Sequence, residues 1–292
     1  MSQLPTVGFI GLGAMGGAMA RNLLAAGYPL IGYDLKAELT AAVADAGAAI
    51  AATIAELVQG SEVIATSLPS SQAWVTVAET EILPHTHPGQ MFIDFGTVTP
   101  PETRRLAAAF AEKGVTLLDA PVSGGPGGAQ KAALYLFLGG DEAAAGKFLP
   151  LLHTVVGPHH ITYCGPAGCG QVVKGVNQLM MGLADAAYLE ALSFGVNSGM
   201  DAAVIERALG NTGRWRADIH RTAQRIVAGE GESVGVKFRE LPYFLNAAAE
   251  AGFELPITER LHAFCDAGER VVIDDNRPAP SFWQELTRKE LL

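Results

Sequence analysis

The sequence predicts an α/β chain: a doubly wound parallel sheet followed by an all-helical C-terminal domain. Three observations predict it. Over the first half, short apolar runs rich in β-formers alternate with alanine-rich stretches at helical spacing. Those runs are apolar at nearly every position, as in strands covered on both faces. After about Tyr163 the runs stop and helical spacing alone remains.

In order, the expected strands are "TVGFI", "YPLIGYD", "EVIATSL", "QMFIDF", "VTLLDA" and "ALYLFLG". Helices are expected in "AMGGAMARNLLAAG", "KAELTAAVADAG" and "PPETRRLAAAFAEKG". The second half opens on one long helix, Gly168 to Leu192, apolar almost all round and so expected to be buried. "DAAVIERALG", a segment around Trp215 to Val227, "VKFRELPYFLNAAAEAG" and "PITERLHAFCDAGERV" follow as further helices. A boundary at "CGPAG", residues 163–167, gives domains 1–164 and 165–292.

The 292 residues are enough for two ordinary domains, and 49% hydrophobic against 17% charged residues supports a sizeable core. The net charge of −10 excludes nucleic acid and anionic membranes as main partners, since phosphate surfaces need basic patches. The longest apolar stretches are broken by polar residues, so no membrane span is expected. Cys164, Cys169 and Cys265 contain no CxxC pair and read as reduced thiols in a cytoplasmic protein without a leader segment. His85, His87, His159 and His160 lack partner ligands at useful spacing, so no metal is expected.

Gly11, Gly13 and Gly16 form G-x-G-x-x-G between a strand and a helix, and a second strand then ends in Asp34. In that context the pattern is a Rossmann-type dinucleotide cradle. Gly11 permits the tight turn, Gly13 lets backbone approach a pyrophosphate, and Gly16 lets helix pack on strand. Leu12, Ala14 and Met15 complete the loop at the positive end of the helix. Asp34 stands where a carboxylate accepts hydrogen bonds from the adenine ribose and repels a 2′-phosphate. The expected cofactor is therefore NAD rather than NADP, although Lys36 lies close by.

The long helix raises a separate question. Lys174, Asn177 and Gln178 stand at i, i+3 and i+4, on one side of an otherwise apolar element. Burying a charged amine is costly, and desolvation favours the neutral form that an acid/base group needs. Gly170, one turn earlier, removes a side chain where a ligand can approach. The bland alternative is a lysine snorkelling at a domain edge. "SGG" at Ser123, Gly124 and Gly125 offers a hydroxyl and unobstructed backbone N–H groups, which suit an anion.

Together with the glycine fingerprint, "SLPSS", "FIDFGTVTPPE", "LDAPVSGGPGGAQKAALYLFLGG" and "GCGQVVKGVNQ" resemble the β-hydroxyacid dehydrogenase family over nearly the whole chain. The resemblance implies a reversible hydride transfer between NAD and a small β-hydroxyacid or its semialdehyde. It implies Lys174 as the catalytic acid/base, and Leu68, Pro69 and Thr97 at the nicotinamide side of the cofactor cleft. Ser123, Gly124 and Gly125 are implied at the substrate carboxylate, with Asn177 and Gln178 orienting substrate and lysine. A homodimer or homotetramer is implied as well.

The chain departs from the family pattern in three places. Gly96 stands where the family has serine. Arg239 stands where it has the lysine of K-D-L, which reaches the cofactor and substrate cleft, so the resemblance implies a cofactor contact for Arg239; arginine keeps the charge but not the shape, and does not readily give up a proton. Arg214 and Trp215 fall where the family places a substrate-pocket loop, with Trp215 either lining the pocket or filling core. Two rival readings use the same scaffold: an NADPH-dependent imine reductase, against which Lys174 and Asp34 speak, and a non-catalytic NAD-binding redox sensor, against which Lys174 and "SGG" speak.

Overall fold

A computed structural model describes residues 4–157, 160–209, 218, 220–224, 228 and 240–264. The chain divides into two compact units, Met1–Lys174 and Gly175–Leu292.

The first unit is built on a sheet whose strands follow the chain in Rossmann order. β1 (Val7–Ile10), β2 (Leu30–Tyr33), β3 (Ala49–Ile50), β4 (Val63–Thr66), β5 (Met91–Asp94) and β6 (Thr116–Asp119) are parallel, ordered β3-β2-β1-β4-β5-β6. The order reverses between β1 and β4, the switch point beyond whose carboxyl ends such sheets bind ligands. β8 (Tyr135–Gly139) runs antiparallel to both β6 and β7 (Val122–Ser123), and β9 (Ile161–Gly165) pairs parallel with β8 across a bulge at Leu138/Gly139. Asp119↔Gly139, Val122↔Leu136 and Ser123↔Tyr135 keep one register. β6 and β7 are thus one strand, interrupted at Ala120–Pro121. The interruption fits a proline, which has no N–H for the ladder.

Alternation along the strands divides the core. Val7, Phe9, Val63, Ala65, Met91, Ile93 and Leu118 face one side, where α1 (Gly16–Ala25) and α7 (Glu142–Val156) bury Met19, Leu23, Leu152 and Val155. Ile10, Ile64, Phe92 and Leu117 face the other, under α3 (Ile54–Gln59), α4 (Ser71–Val77) and α5 (Pro100–Glu112). Trp74 stacks on Phe92 at 6.0 Å between ring centroids, and Phe110 tilts onto Phe92 at 4.9 Å. The helix starts are capped locally: Thr53, Ser70, Thr99 and Asp141 each accept an N–H from the first turn that follows.

All six expected strands and the three expected helices are present; α2 spans Ala37–Ala44. The expectation omitted β3, β7, β9, α3, α4, α6 (Gly125–Gln130) and α7. The added strands β3 and β7 have two residues each, too few for any periodicity.

The long helix, α8, runs Cys169–Asn197, and its first part belongs to the first unit. The expectation that it is buried all round is corrected. Val172, Val176 and Met180 are 44%, 63% and 63% exposed, an apolar stripe at i, i+4 and i+8 left open in the single chain. In the second unit the Phe244 ring of helix Leu241–Glu250 lies so close to Gly175 that an added Cβ would stand 2.8 Å from it. Pro242 begins that helix in its first turn, a position where no N–H is missed. Helices Ala202–Leu209 and Pro256–Phe264 lie within the expected segments, and residues 265–271 of the last one lie outside the described residues. No described helix is long and apolar enough to cross a membrane.

Candidate active site

The glycine loop sits at the switch point. Gly11 has φ +88°, and a Cβ there would strike the Ser67 carbonyl at the end of β4. A Cβ on Gly16 would strike the Gly11 carbonyl. Both glycines are therefore required by the chain itself. Gly13 is different: an added Cβ would meet nothing within 4 Å. Space beside its backbone is kept open, as a phosphate cradle requires. Met15, at the start of α1, makes no side-chain cap, and the first turn holds no acidic residue, so the positive helix end is left to an anion.

Asp34, half-buried at the end of β2, accepts the Leu12 N–H at Oδ2 (2.7 Å) and the Lys36 N–H at Oδ1 (2.9 Å). Besides standing where a ribose carboxylate is expected, it ties the glycine loop to β2. Leu68 is half-buried beside Gly11, its Cδ2 3.1 Å from where a Gly11 Cβ would lie; Pro69 is exposed.

Polar residues end the neighbouring strands in register. Thr66 pairs with Asp94, Asp94 with Asp119, and Asp119 with Gly139. Asp94 is 1% exposed. Its Oδ1 accepts from Thr66 Oγ1 (2.7 Å) and the Gly96 N–H (3.1 Å), while Thr66 Oγ1 accepts from Trp74 Nε1 (3.2 Å). Oδ2 is buried without a hydrogen-bond partner. Burial pushes the Asp94 carboxyl up from 3.8 to about 7; its two hydrogen bonds pull the other way, and nearby Asp119 adds to the rise. Asp119 is raised too, chiefly by burial, although the Gly168 N–H (2.8 Å) and Gln171 N–H (3.0 Å) donate to it from the start of α8.

That carboxylate anchors the helix that carries Lys174. The lysine is 7% exposed, and its Nζ donates to the Val122 carbonyl at 2.9 Å. Val122 precedes Ser123, so the amine lies at the peptide that opens the Ser123-Gly124-Gly125 segment, although the two are far apart in sequence. Gly124 and Gly125 have φ +133° and +64°, conformations that suit glycine, and Ser123 is half-buried. Gln171, on the same helix, donates from Nε2 to the Gly96 carbonyl (3.0 Å) and accepts the Val98 N–H at Oε1 (3.1 Å). Half-buried Thr97 is the residue between them.

One expectation fails here. Gly170 does not open space for a ligand. A Cβ on it would strike the Phe137 carbonyl and stand 2.7 Å from Asp119 Oδ2, so the glycine lets α8 pack against β8 and β6. Further along α8, Asn177 is half-buried with Nδ2 3.6 Å from Met181 Sδ, and Gln178 is buried. Trp215 and Arg239 lie outside the described residues, as does Arg214. Sequence reasoning missed Asp94, Asp119 and Gln171. A carboxylate closing an apolar strand twice over, and an amide three residues before the lysine, were the signals available.

Residues 6–165 match the family described as the NAD binding domain of 6-phosphogluconate dehydrogenase. Residues 168–277 match the family described as NAD-binding of NADP-dependent 3-hydroxyisobutyrate dehydrogenase. The chain belongs to the β-hydroxyacid dehydrogenase family. Among relatives of this dehydrogenase, 2-(hydroxymethyl)glutarate dehydrogenase of Eubacterium barkeri is 32% identical, over 98% of this chain and 97% of its own. The NAD-dependent L-serine dehydrogenase of Pseudomonas aeruginosa is 35% identical, over 73% of this chain and 72% of its own. A solved structure of Mycobacterium tuberculosis 3-hydroxyisobutyrate dehydrogenase with L-serine superposes with TM-score 0.80 and 26% identity, covering 98% of this chain and all of that one. As a member of the family, the chain is an NAD-binding oxidoreductase acting on CH–OH groups.

Proposed function

We propose that this dehydrogenase interconverts a small acid bearing a hydroxymethyl group on its α-carbon and the corresponding semialdehyde, with Lys174 as the acid/base. The observation that carries the reading is the Lys174 amine, buried and hydrogen-bonded at the first peptide of Ser123-Gly124-Gly125. An acid held by that segment has its β-oxygen one short carbon link from the carboxylate, within reach of the same amine. Residues 1–164 serve as the NAD-binding domain and 165–292 as the substrate and oligomerisation domain.

NAD, when bound, supplies the hydride chemistry. The chain supplies the rest. Neutral Lys174 takes the hydroxyl proton during oxidation and returns it during reduction. Ser123 Oγ and the backbone N–H groups of Gly124 and Gly125 hold the carboxylate. Asn177 and Gln178 orient substrate and lysine, and Leu68, Pro69 and Thr97 line the nicotinamide side.

The names of the three relatives share one chemical unit: 3-hydroxyisobutyrate, 2-(hydroxymethyl)glutarate and serine each carry a primary alcohol on the carbon next to the acid-bearing one. The purified enzyme is expected to reduce NAD with at least one of these acids and not with lactate, whose hydroxyl sits on the α-carbon; absorbance of the reduced nicotinamide reads it. Turnover of lactate alone, or of none of them, would overturn the substrate class.

The Asp34 carboxylate favours NAD, so kcat/KM is expected to be about tenfold or more higher with NAD than with NADP. A preference for NADP would overturn that assignment. The exposed stripe Val172, Val176 and Met180 supports assembly as a homodimer or homotetramer. Light scattering in solution would show it, and a monomeric mass would refute it.

A further inference from the structure

Gln171 is fully buried and stands three residues before Lys174 on α8, so both side chains leave the same face of one helical turn. A carboxamide places an acceptor and a donor side by side. Here it uses both on one piece of backbone, accepting from Val98 N–H (3.1 Å) and donating to the Gly96 carbonyl (3.0 Å). These two groups bracket Thr97. The other end of the same loop is fixed through Gly96 N–H to Asp94 (3.1 Å), and Asp94 is held by Thr66 (2.7 Å). The loop is therefore set through its backbone, by a side chain from the lysine's own helix. The Gln171 N–H in turn donates to Asp119 (3.0 Å), which fixes the helix start against β6.

We propose that Gln171 is a positioning residue for hydride transfer: its carboxamide sets the distance between the Thr97 loop and the Lys174 amine. The proposal rests on the reading above, in which Lys174 is the acid/base and Thr97 lies at the nicotinamide. With the amide removed, the Gly96 carbonyl and Val98 N–H lose buried partners and the loop relaxes. Misplacement of a cofactor by about 1 Å costs on the order of 100-fold in rate.

The test is Gln171→Met, of similar length with neither donor nor acceptor of comparable strength, and Gln171→Glu, which keeps the acceptor for Val98 but loses the donor for Gly96. Concentrations are normalised to folded enzyme. Gln171→Met is expected to lower kcat about 10–100-fold while KM for the acid changes less than about threefold. The deuterium isotope effect on kcat, with substrate labelled at the hydroxyl carbon, is expected to rise because hydride transfer becomes slower relative to product release. NADH affinity, read by fluorescence titration, is expected to weaken. Gln171→Glu should fall between the wild type and Gln171→Met. A purely structural role would lower the yield of folded enzyme and leave kcat per folded molecule, isotope effect and NADH affinity unchanged; that result overturns the proposal. Failure of both variants to fold also overturns it, since Gln171 would then serve folding. Lys174→Ala is run alongside. If it retains turnover, the acid/base reading itself fails. If it is inactive while both Gln171 variants match the wild type, only the positioning role fails.

Discussion

Replacing Lys174 with alanine is expected to lower turnover by about 10²–10⁴-fold while NADH binding stays within a few-fold of the wild type. The effect is large because the variant lacks the proposed proton acceptor. Oxidation of an alcohol sheds a hydride and a proton together, and the proposed acceptor is the neutral Lys174 amine, buried and hydrogen-bonded at Val122 beside the Ser123-Gly124-Gly125 segment. Cofactor affinity should survive because the phosphate cradle is built from Gly11, Gly13, Gly16 and the start of α1, with Asp34 bracing Leu12. Lys174→Arg should not restore turnover, since a guanidinium stays protonated at working pH. Steady-state rates and an NADH titration check both halves. Near-normal turnover in the alanine variant would remove the proposed chemistry, whereas loss of NADH binding in step with turnover would point to a disrupted fold.

The second large effect concerns stability. The Asp94 carboxyl titrates at about 7 in the folded chain against 3.8 ordinarily, so between those values the folded state holds a proton that the unfolded state has released. Stability therefore falls as pH rises from about 4 to about 7, and the loss is complete above that. At ~1.4 kcal/mol per pH unit the interval corresponds to about 4 kcal/mol. Asp94→Asn removes the charge but keeps an acceptor for Thr66 and Gly96, and its amide occupies the place of the partnerless Oδ2. The variant is expected to be more stable than the wild type at pH 8.5, by up to about 4 kcal/mol, and by less than half of that at pH 5. Urea unfolding at the two pH values decides it. An equal difference at both would mean that the buried carboxyl does not titrate in this range.

These two groups mark the reach of the sequence. The parallel sheet was legible because its strands are apolar on both faces, and the cradle because Gly11 and Gly16 are demanded by backbone contacts that no other residue permits. Lys174 stood out as a cation in an apolar helix. Asp94 and Asp119 did not, because a carboxylate at a strand end reads as the edge of a loop until neighbouring strands are laid in register. Gln171 was hidden for a related reason: a helix pattern gives the face on which an amide lies but not the distant backbone it meets. Gly170 misled because a missing side chain looks the same in sequence whether the space goes to a ligand or to a strand. The open stripe on α8 was misjudged because apolar periodicity says that a face avoids water, not that the same chain covers it.

The last strand of the sheet stops at Gly165, yet Asp119 takes its N–H donors from Gly168 and Gln171, and the Gly96–Val98 loop takes its amide from Gln171. A truncated nucleotide-binding fragment should therefore run through Lys174. Ended at the strand, it would deprive Asp119 of the Gly168 and Gln171 N–H donors and the Gly96–Val98 loop of its brace. The natural place to splice one C-terminal unit for another lies inside a helix, not in the turn before it.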